Sequence, residues 1–219
     1  MSTDRAAARD QMVKQQVRAW GVYDDTILDL MAQIPRDAFF PPEYSAFAYA
    51  DLEAPVGHGR LMLAPKEQGK LLQAVSAKSD ETVLVLGTDT GYLTALLARL
   101  SKHVYSLDTD AALLEKAKTA LLNLAVNNVT LDVQKDLEGA PMFAPFDVIV
   151  LTGSVSAVPE SLLAQLSDKG RMFAIVGCEP LMQATLYVKG ENQLIIERVL
   201  YETSVHSVLD SPNKTVFSF

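Results

Sequence analysis

Hydrophobic positions recur with a helical period in the first part of the chain. Met12, Val17 and Trp20 share one face of a predicted helix that Gly21 ends. A second helical pattern covers residues 24–34, with its own apolar face. The chain is therefore expected to begin with two amphipathic helices that pack on something larger.

The stretch 37–64 follows no clear period. It contains three prolines and five aromatic side chains, which predicts an irregular cover with its own packing. Pro65 opens a predicted helix over 65–77. We therefore expect residues 1–64 to form a helical and irregular cover within the same unit as an α/β domain over 65–219.

From residue 82 onward, short apolar runs alternate with helical patterns. Strands that alternate with helices predict a mostly parallel sheet with helices on both faces. The predicted strands cover 82–86, 103–107, 129–133, 146–151 and 171–176, and the predicted helices cover 92–100, 111–125 and 159–165.

The end of the chain departs from this alternation. The strand-like runs 183–188 and 193–201 are joined by a short polar turn at 189–192, which predicts an antiparallel hairpin. The expected fold class is therefore α/β, with the Rossmann-like sheet of class I S-adenosylmethionine-dependent methyltransferases and an N-terminal helical cover. A nicotinamide dehydrogenase is a poorer match, because the G-x-G-x-x-G spacing and a separate catalytic domain are missing.

The turn after the first strand of this sheet is the candidate ligand site. Gly87 and Gly91 bracket a tight connection between the strand 82–86 and the following helix, where backbone N–H groups can approach a nucleotide-type ligand. Asp108 ends the next strand-like run, about 20 residues further on, where an acidic side chain can take ribose hydroxyls.

Composition excludes several other classes. The 219 residues carry a net charge of −8 and no basic block, so nucleic acid and anionic membranes are poor partners. Cys178 is the only cysteine and is expected to be a buried thiol. The three histidines show no ligand spacing, so no metal site is expected. We expect a cytoplasmic protein, and the oligomeric state stays open.

The motifs along the chain resemble those of the protein-L-isoaspartate O-methyltransferase family. The match spans most of the length, and its N-terminal part is specific to this family. It rests on Gln16-Val17-Arg18, Trp20-Gly21-Val22, Ile34-Pro35-Arg36, Phe39-Phe40-Pro41, Ala48-Tyr49-Ala50-Asp51, Pro55-Val56-Gly57-His58-Gly59, Gly87-Thr88, Gly91-Tyr92, Val104-Tyr105-Ser106-Leu107-Asp108, Pro145-Phe146-Asp147-Val148-Ile149 and Val176-Gly177.

The resemblance implies S-adenosylmethionine as the cofactor. It implies a peptide or protein substrate with an isoaspartyl residue, whose misplaced carboxylate is methylated to start its repair; another small acceptor is the alternative. The residues that the resemblance assigns to cofactor binding are Gly87, Thr88, Asp89, Gly91, Asp108 for the ribose and Asp136 beside the adenine.

The chain departs from the family pattern around the methyl acceptor. Leu63 replaces the hydroxyl residue of the family's active site, and Leu61 replaces a threonine. A leucine cannot donate a hydrogen bond to a substrate carboxylate, so the catalytic residue is unknown. Arg60 replaces a glutamine and is a candidate substrate contact through its guanidinium, although a solvated loop arginine is the simpler interpretation.

The cofactor turn departs as well. Val85 replaces an acidic residue, and Asp89 replaces the middle glycine of the turn. Asp89 would either attract the cationic part of the cofactor or fill its space. Lys135 and Leu137 replace the glycines that flank the family's counterpart of Asp136.

Three functions remain open on the sequence. The first is an isoaspartyl methyltransferase with a divergent active site, which we expect to methylate isoaspartyl peptides poorly or not at all. The second is a cofactor-binding relative with a different methyl acceptor. The third is a non-catalytic binding or regulatory module that keeps the fold.

Overall fold

The computed structural model describes residues 2–208, and their side chains from Asp4 onward. The strands are β1 (Ala54–Gly57), β2 (Arg60–Met62), β3 (Thr82–Leu86), β4 (His103–Asp108), β5 (Val129–Val133), β6 (Phe146–Val155), β7 (Leu166–Cys178), β8 (Leu181–Lys189) and β9 (Ile195–Thr203). The α-helices are α1 (Ser2–Gln11), α2 (Asp25–Gln33), α3 (Pro65–Val75), α4 (Tyr92–Leu100), α5 (Ala111–Asn123) and α6 (Glu160–Ala164).

Seven strands form one sheet in the order β5-β4-β3-β6-β7-β8-β9. The strands from β5 to β7 pair in parallel, and β8 and β9 complete the sheet as an antiparallel hairpin. This confirms the α/β class, the mostly parallel sheet and the terminal hairpin that the sequence predicts. Strands β6 and β7 are longer than predicted, and β6 continues to Val155.

Strand β3 is apolar and buried from Val83 to Leu86 because both of its faces are covered. Val83 and Val85 belong to one buried cluster, whereas Leu84 and Leu86 belong to another. Successive side chains of a strand point to opposite faces, so each cluster lies on its own side of the sheet. The first cluster also takes in Met12 of the N-terminal segment, so the predicted cover packs into the core of the sheet.

Three details differ from expectation. The helix that begins with α1 continues to Trp20 by π and 3-10 hydrogen bonding, and Trp20, expected on the apolar face, is 53% exposed. The stretch predicted as irregular contains the hairpin β1–β2, whose turn at Gly57, His58 and Gly59 has positive φ at all three residues. Cys178 is exposed at the end of β7, not buried.

A buried arginine fastens this cover to the domain. Arg36 is completely buried, and its guanidinium donates to the carbonyl oxygens of Ala48 at 2.6 Å and Leu63 at 2.7 Å and to Oε1 of Gln68 at 3.3 Å. Burial lowers the pKa of Arg36 to about 10, so the group stays charged at neutral pH. The backbone at Leu63 is thereby held in place by a side chain far away in the sequence.

We predict that Arg36→Ala lowers the free energy of unfolding by about 3–5 kcal/mol, because two buried carbonyl groups lose their donor and a cavity is left. Urea unfolding measures this. Arg18→Ala is the control, since its side chain is 57% exposed, and its effect is expected to stay within about 0.5 kcal/mol. Equal losses in the two variants would contradict the role of Arg36.

Candidate cofactor cleft and acceptor position

The candidate site lies where β3 and β4 end. In the sheet, β3 lies between β4 on one side and β6 on the other. The strand order reverses at this point, and open α/β sheets bind ligands at such a topological switch point. The turn has positive φ at Gly87, Asp89 and Gly91, and α4 begins directly after it. A side chain at Gly87 would place its Cβ 2.1 Å from Oγ1 of Thr152, so only glycine fits there.

Asp108 occupies the position expected of a ribose-binding carboxylate. It is buried at the end of β4, where its Oδ2 accepts from the backbone N–H of Asp89 at 2.8 Å and its Oδ1 accepts from Asp110 N–H at 3.0 Å. These two donors fix the carboxylate against the glycine turn. The Thr88 hydroxyl is paired with the Ser106 hydroxyl at 2.8 Å.

Arg60 is buried in this cleft, so its interpretation as a solvated loop residue is wrong. It is the first residue of β2, and only 5% of it is exposed. Its Nε and Nη2 each lie 3.3 Å from Oδ1 of Asp89, and Nη2 lies 3.5 Å from Oδ2 of Asp108. The unforeseen β1–β2 hairpin is what brings this side chain to the carboxylates.

Asp89 takes the left-handed conformation that a glycine would otherwise supply, with φ of 51°. Burial raises the pKa of its carboxyl from 3.8 to about 6, although the Arg60 charge opposes this rise. The side chain is therefore held by Arg60 inside the cleft and does not extend into solvent.

The space beside Asp108 is small. The cavity holds about 10 Å³ and is lined by Arg60, Leu86, Gly87, Leu107, Asp108, Thr109, Gln134, Asp136, Leu137 and Val208. The buried Oε1 of Gln134 has no hydrogen-bond partner among the described residues. Sequence reasoning missed Gln134, although its place just after β5 was a usable signal. Asp136 is exposed at the rim and accepts from the Glu138 N–H at 3.0 Å.

The segment that follows β9 covers the open end of the cleft. Ser154 N–H donates to the His206 carbonyl at 2.8 Å, and Val208 N–H donates to the Ser154 carbonyl at 3.0 Å. Nδ1 of His206 also lies 2.6 Å from Oε1 of Glu53. A Cβ at Gly153 would lie 2.6 Å from the Val208 nitrogen, so this close approach requires glycine.

Leu63 lies beside the cleft as a packed side chain. It is buried and lines a second cavity of about 10 Å³ together with Gln68, Thr88, Asp89 and Tyr92. The Tyr92 hydroxyl is buried there without a hydrogen-bond partner among the described residues. Position 63, where the resemblance places the acceptor, therefore contributes an apolar wall to this cavity.

Other kinds of site find no support in the described residues. Within residues 2–208, His, Cys, Asp and Glu side chains form no group of three that could hold a metal ion. No helix of the described part is both long and apolar enough to cross a membrane.

The sheet order and the cleft define the class of protein as a class I methyltransferase. Within that class, the model of the protein-L-isoaspartate(D-aspartate) O-methyltransferase family matches residues 7–209. The chain belongs to this family. The family, its class of enzyme and its cofactor S-adenosylmethionine, all expected from the sequence, are thereby confirmed.

Individual relatives agree with this assignment. A protein-L-isoaspartate O-methyltransferase of Rhodopseudomonas palustris is 36% identical over 83% of this chain and 74% of its own length. One from Burkholderia cenocepacia is 35% identical over 92% of this chain and 63% of its own length. A solved protein-L-isoaspartate O-methyltransferase superimposes with a TM-score of 0.78 at 25% identity, covering 91% of this chain and 65% of the other.

The residues of the cleft have polar groups that suit this cofactor, but the cavity between them is too small for it. Asp108 can accept from ribose hydroxyls, and Gln134 Oε1 is an unused acceptor for an amino group. Ligand pockets usually offer roughly 300–1,000 Å³, whereas this cavity holds about 10 Å³. The Arg60 side chain, paired with Asp89 and Asp108, lines the same cavity as Asp108 and Gln134.

We predict a pH signature of the buried Asp89. Because its pKa is about 6 in the folded protein and 3.8 in the unfolded chain, the stability from this group is fully present below pH 3.8 and lost as the pH rises to about 6. Asp89→Asn lacks this loss. The free energy of unfolding of this variant, relative to that of wild type, should therefore rise by about 2–3 kcal/mol between pH 3.5 and pH 7.5.

Urea unfolding at several pH values measures this difference. Asp136→Asn is the matched control, because Asp136 is exposed. A stability difference between wild type and Asp89→Asn that does not change with pH would show that Asp89 ionises normally.

Proposed function

We propose that this chain is an S-adenosylmethionine-dependent carboxyl methyltransferase whose own Arg60 competes with the cofactor for its site. The acceptor is a carboxylate on a peptide or protein, and an isoaspartyl residue is converted slowly. The observation that carries the proposal is the buried carboxylate of Asp108 beside the glycine turn, with the unused acceptor of Gln134 in the same cavity. The absence of a second cysteine, and so of any intramolecular disulfide, suits the reducing cytoplasm.

Each group of the cleft has a role in this proposal. Asp108 holds the ribose, Gln134 accepts from the adenine amino group, and the backbone of the turn at Gly87 allows close approach. The cofactor supplies a methyl group that is already activated, so the chain mainly positions the acceptor. A carboxylate acceptor needs no general base, so the proposal assigns none.

Arg60 sets the affinity in this scheme. A cofactor has to displace a buried guanidinium from Asp89 and Asp108, and breaking a buried pair on one side typically costs about 3–5 kcal/mol. Binding is therefore weak unless the displaced charge finds a new partner. A carboxylate of the incoming substrate is such a partner, because a guanidinium pairs well with carboxylates.

A second candidate function has its own support. The small volume of the cleft and the apolar Leu63 favour a non-catalytic binding or regulatory module that keeps the fold. The two candidates differ in one measurable property, which is whether the cofactor binds at all.

We predict that the double change Arg60→Gln with Asp89→Gly tightens binding of S-adenosylhomocysteine by about 10- to 150-fold, since Asp108 becomes free for a hydrogen bond worth about 1.5–3 kcal/mol. Changing both residues removes one charge of each sign, and the Asp108 carboxylate keeps the backbone N–H donors of residues 89 and 110. Isothermal titration calorimetry on wild type and variant measures the affinity.

Adding Asp108→Asn to the double variant is the control and should remove the gain. No binding by wild type or by the double variant at millimolar ligand would favour the non-catalytic module. Tight binding by wild type, unchanged in the double variant, would show that Arg60 does not compete.

We predict that Leu61→Thr with Leu63→Ser raises isoaspartyl methylation. The apolar wall leaves the lone pairs of the acceptor carboxylate without donors once water is excluded, and this penalty falls on binding and on the transition state. Transfer of labelled methyl to an isoaspartyl peptide, beside its aspartyl twin, measures the effect.

The same assay is repeated with Leu61→Thr and Leu63→Ser added to the variant Arg60→Gln with Asp89→Gly. This comparison separates an effect on the methyl acceptor from an effect on cofactor binding. Selective wild-type turnover near an ordinary ~10 s⁻¹, or even about a hundredth of that, would contradict the role given to Leu63.

A further inference from the structure

An exposed tryptophan lies away from the cofactor cleft, in contact with two lysines. Lys66 Nζ is 4.4 Å and Lys70 Nζ is 5.3 Å from the centre of the Trp20 ring, and Lys70 Nζ is also 4.3 Å from the Tyr201 ring. Half of Trp20 is open to solvent, so these cation–π contacts are of the weak, exposed kind. They leave the ammonium groups available to an anion.

The positive charge here is only partly neutralised. Lys66 has one carboxylate nearby, Asp51, at 3.4 Å. Among residues 2–208, neither Lys70 nor Arg198 has a carboxylate within ion-pair distance. Lys66 and Lys70 are one helical turn apart on α3, and like charges at this spacing destabilise a helix. A cluster of cations of this kind, on a chain whose net charge is −8, favours the binding of an anionic partner.

The space between these groups is a groove, which we call the Trp20 groove. It has a volume of about 510 Å³ and is lined by Trp20, Lys70, Ala74, Leu186, Arg198 and Tyr201 among others. Lys70 and Arg198 contribute cationic lining, and Ala74 and Leu186 contribute apolar lining. This combination suits an extended segment that carries both carboxylates and small apolar groups.

Helix α3 leads from the residues that follow Leu63 to the groove, which its Lys70 and Ala74 line. Helix α3 starts at Pro65, directly after Leu63 and Ala64, and Lys66 lies in its first turn. Tyr201, at the far side of the groove, donates its hydroxyl to Oε2 of the buried Glu67 at 2.8 Å. A polypeptide that presents a carboxylate near Leu63 can therefore continue along α3 into the groove.

We propose that the Trp20 groove binds an acidic segment of the polypeptide substrate, next to the residue that is methylated. This inference rests on the proposed methylation of peptide or protein carboxylates, and it names the class of substrate. A nucleic acid is the less suitable polyanion, since its repeating phosphates would meet the strongly negative remainder of the surface. The groove raises the affinity for acidic segments without touching the reacting atoms.

Trp20 reports on this binding directly, because it is the only tryptophan in the chain. The experiment titrates wild-type protein, without cofactor, with an acidic decapeptide of aspartate, glutamate and alanine, and follows tryptophan emission. A saturable change that weakens with added salt is expected. Lys70→Gln with Arg198→Gln should weaken binding by roughly 3- to 30-fold.

Two controls match this test. Lys102→Gln with Lys118→Gln removes the same charge from exposed positions outside the groove and should leave the affinity unchanged. The amide twin of the peptide, with asparagine and glutamine, should not bind. Anisotropy of a labelled peptide repeats the measurement for variants whose own emission has changed.

The proposal is overturned by no saturable change at millimolar peptide, by equal binding of the amide twin, or by equal losses in the two double variants. Tighter binding of a single-stranded oligonucleotide would also overturn it. The titration uses neither cofactor nor isoaspartyl residue. Its result is therefore distinct from a failure of cofactor binding or methyl transfer.

Discussion

The contact of Arg60 with Asp89 and Asp108 decides what the cofactor cleft can hold. Two buried carboxylates face each other across the glycine turn, and the guanidinium between them compensates their charge. Without it, the pair of buried negative charges would be costly. The same guanidinium lines the small cavity beside Asp108, where we propose that the cofactor binds. The state of the cleft therefore depends on whether Arg60 has a better partner elsewhere.

A second buried arginine anchors the N-terminal part to the rest of the structure. Arg36 joins the backbone at Ala48 and at Leu63 through a buried guanidinium. The backbone at Leu63 is thus tied to a residue of the N-terminal part, and the β1–β2 hairpin that carries Arg60 lies between these two anchors in the sequence. Buried side chains therefore link the N-terminal part both to position 63 and to the turn that holds Asp89.

The Trp20 groove and the cleft carry opposite charges. The cleft concentrates aspartates around one arginine, whereas the groove presents lysines and an arginine around aromatic rings. Helix α3 connects them, because it begins two residues after Leu63 and its Lys70 lines the groove. A substrate with several carboxylates would be repelled by the cleft alone, so a separate cationic surface has a clear use.

The sequence alone was sufficient for the fold class and the family, and it predicts a ligand site at the glycine turn. Alternating apolar runs such as 82–86 identify strands buried on both faces, and the glycine turn with Asp108 marks the carboxyl ends of two neighbouring strands. The replacements at Leu63 and Asp89 were also visible, because they are changes of chemistry at fixed motif positions.

Only the tertiary structure decided which side chains meet. The β1–β2 hairpin contains a proline and a turn with three positive φ values, a pattern that hydrophobic periodicity does not report, and it carries Arg60 to the carboxylates. The surroundings of Gln134 and Trp20 were decided in the same way. Their neighbours are distant in sequence, and a one-dimensional pattern records which residues are apolar but not which polar groups share a cavity.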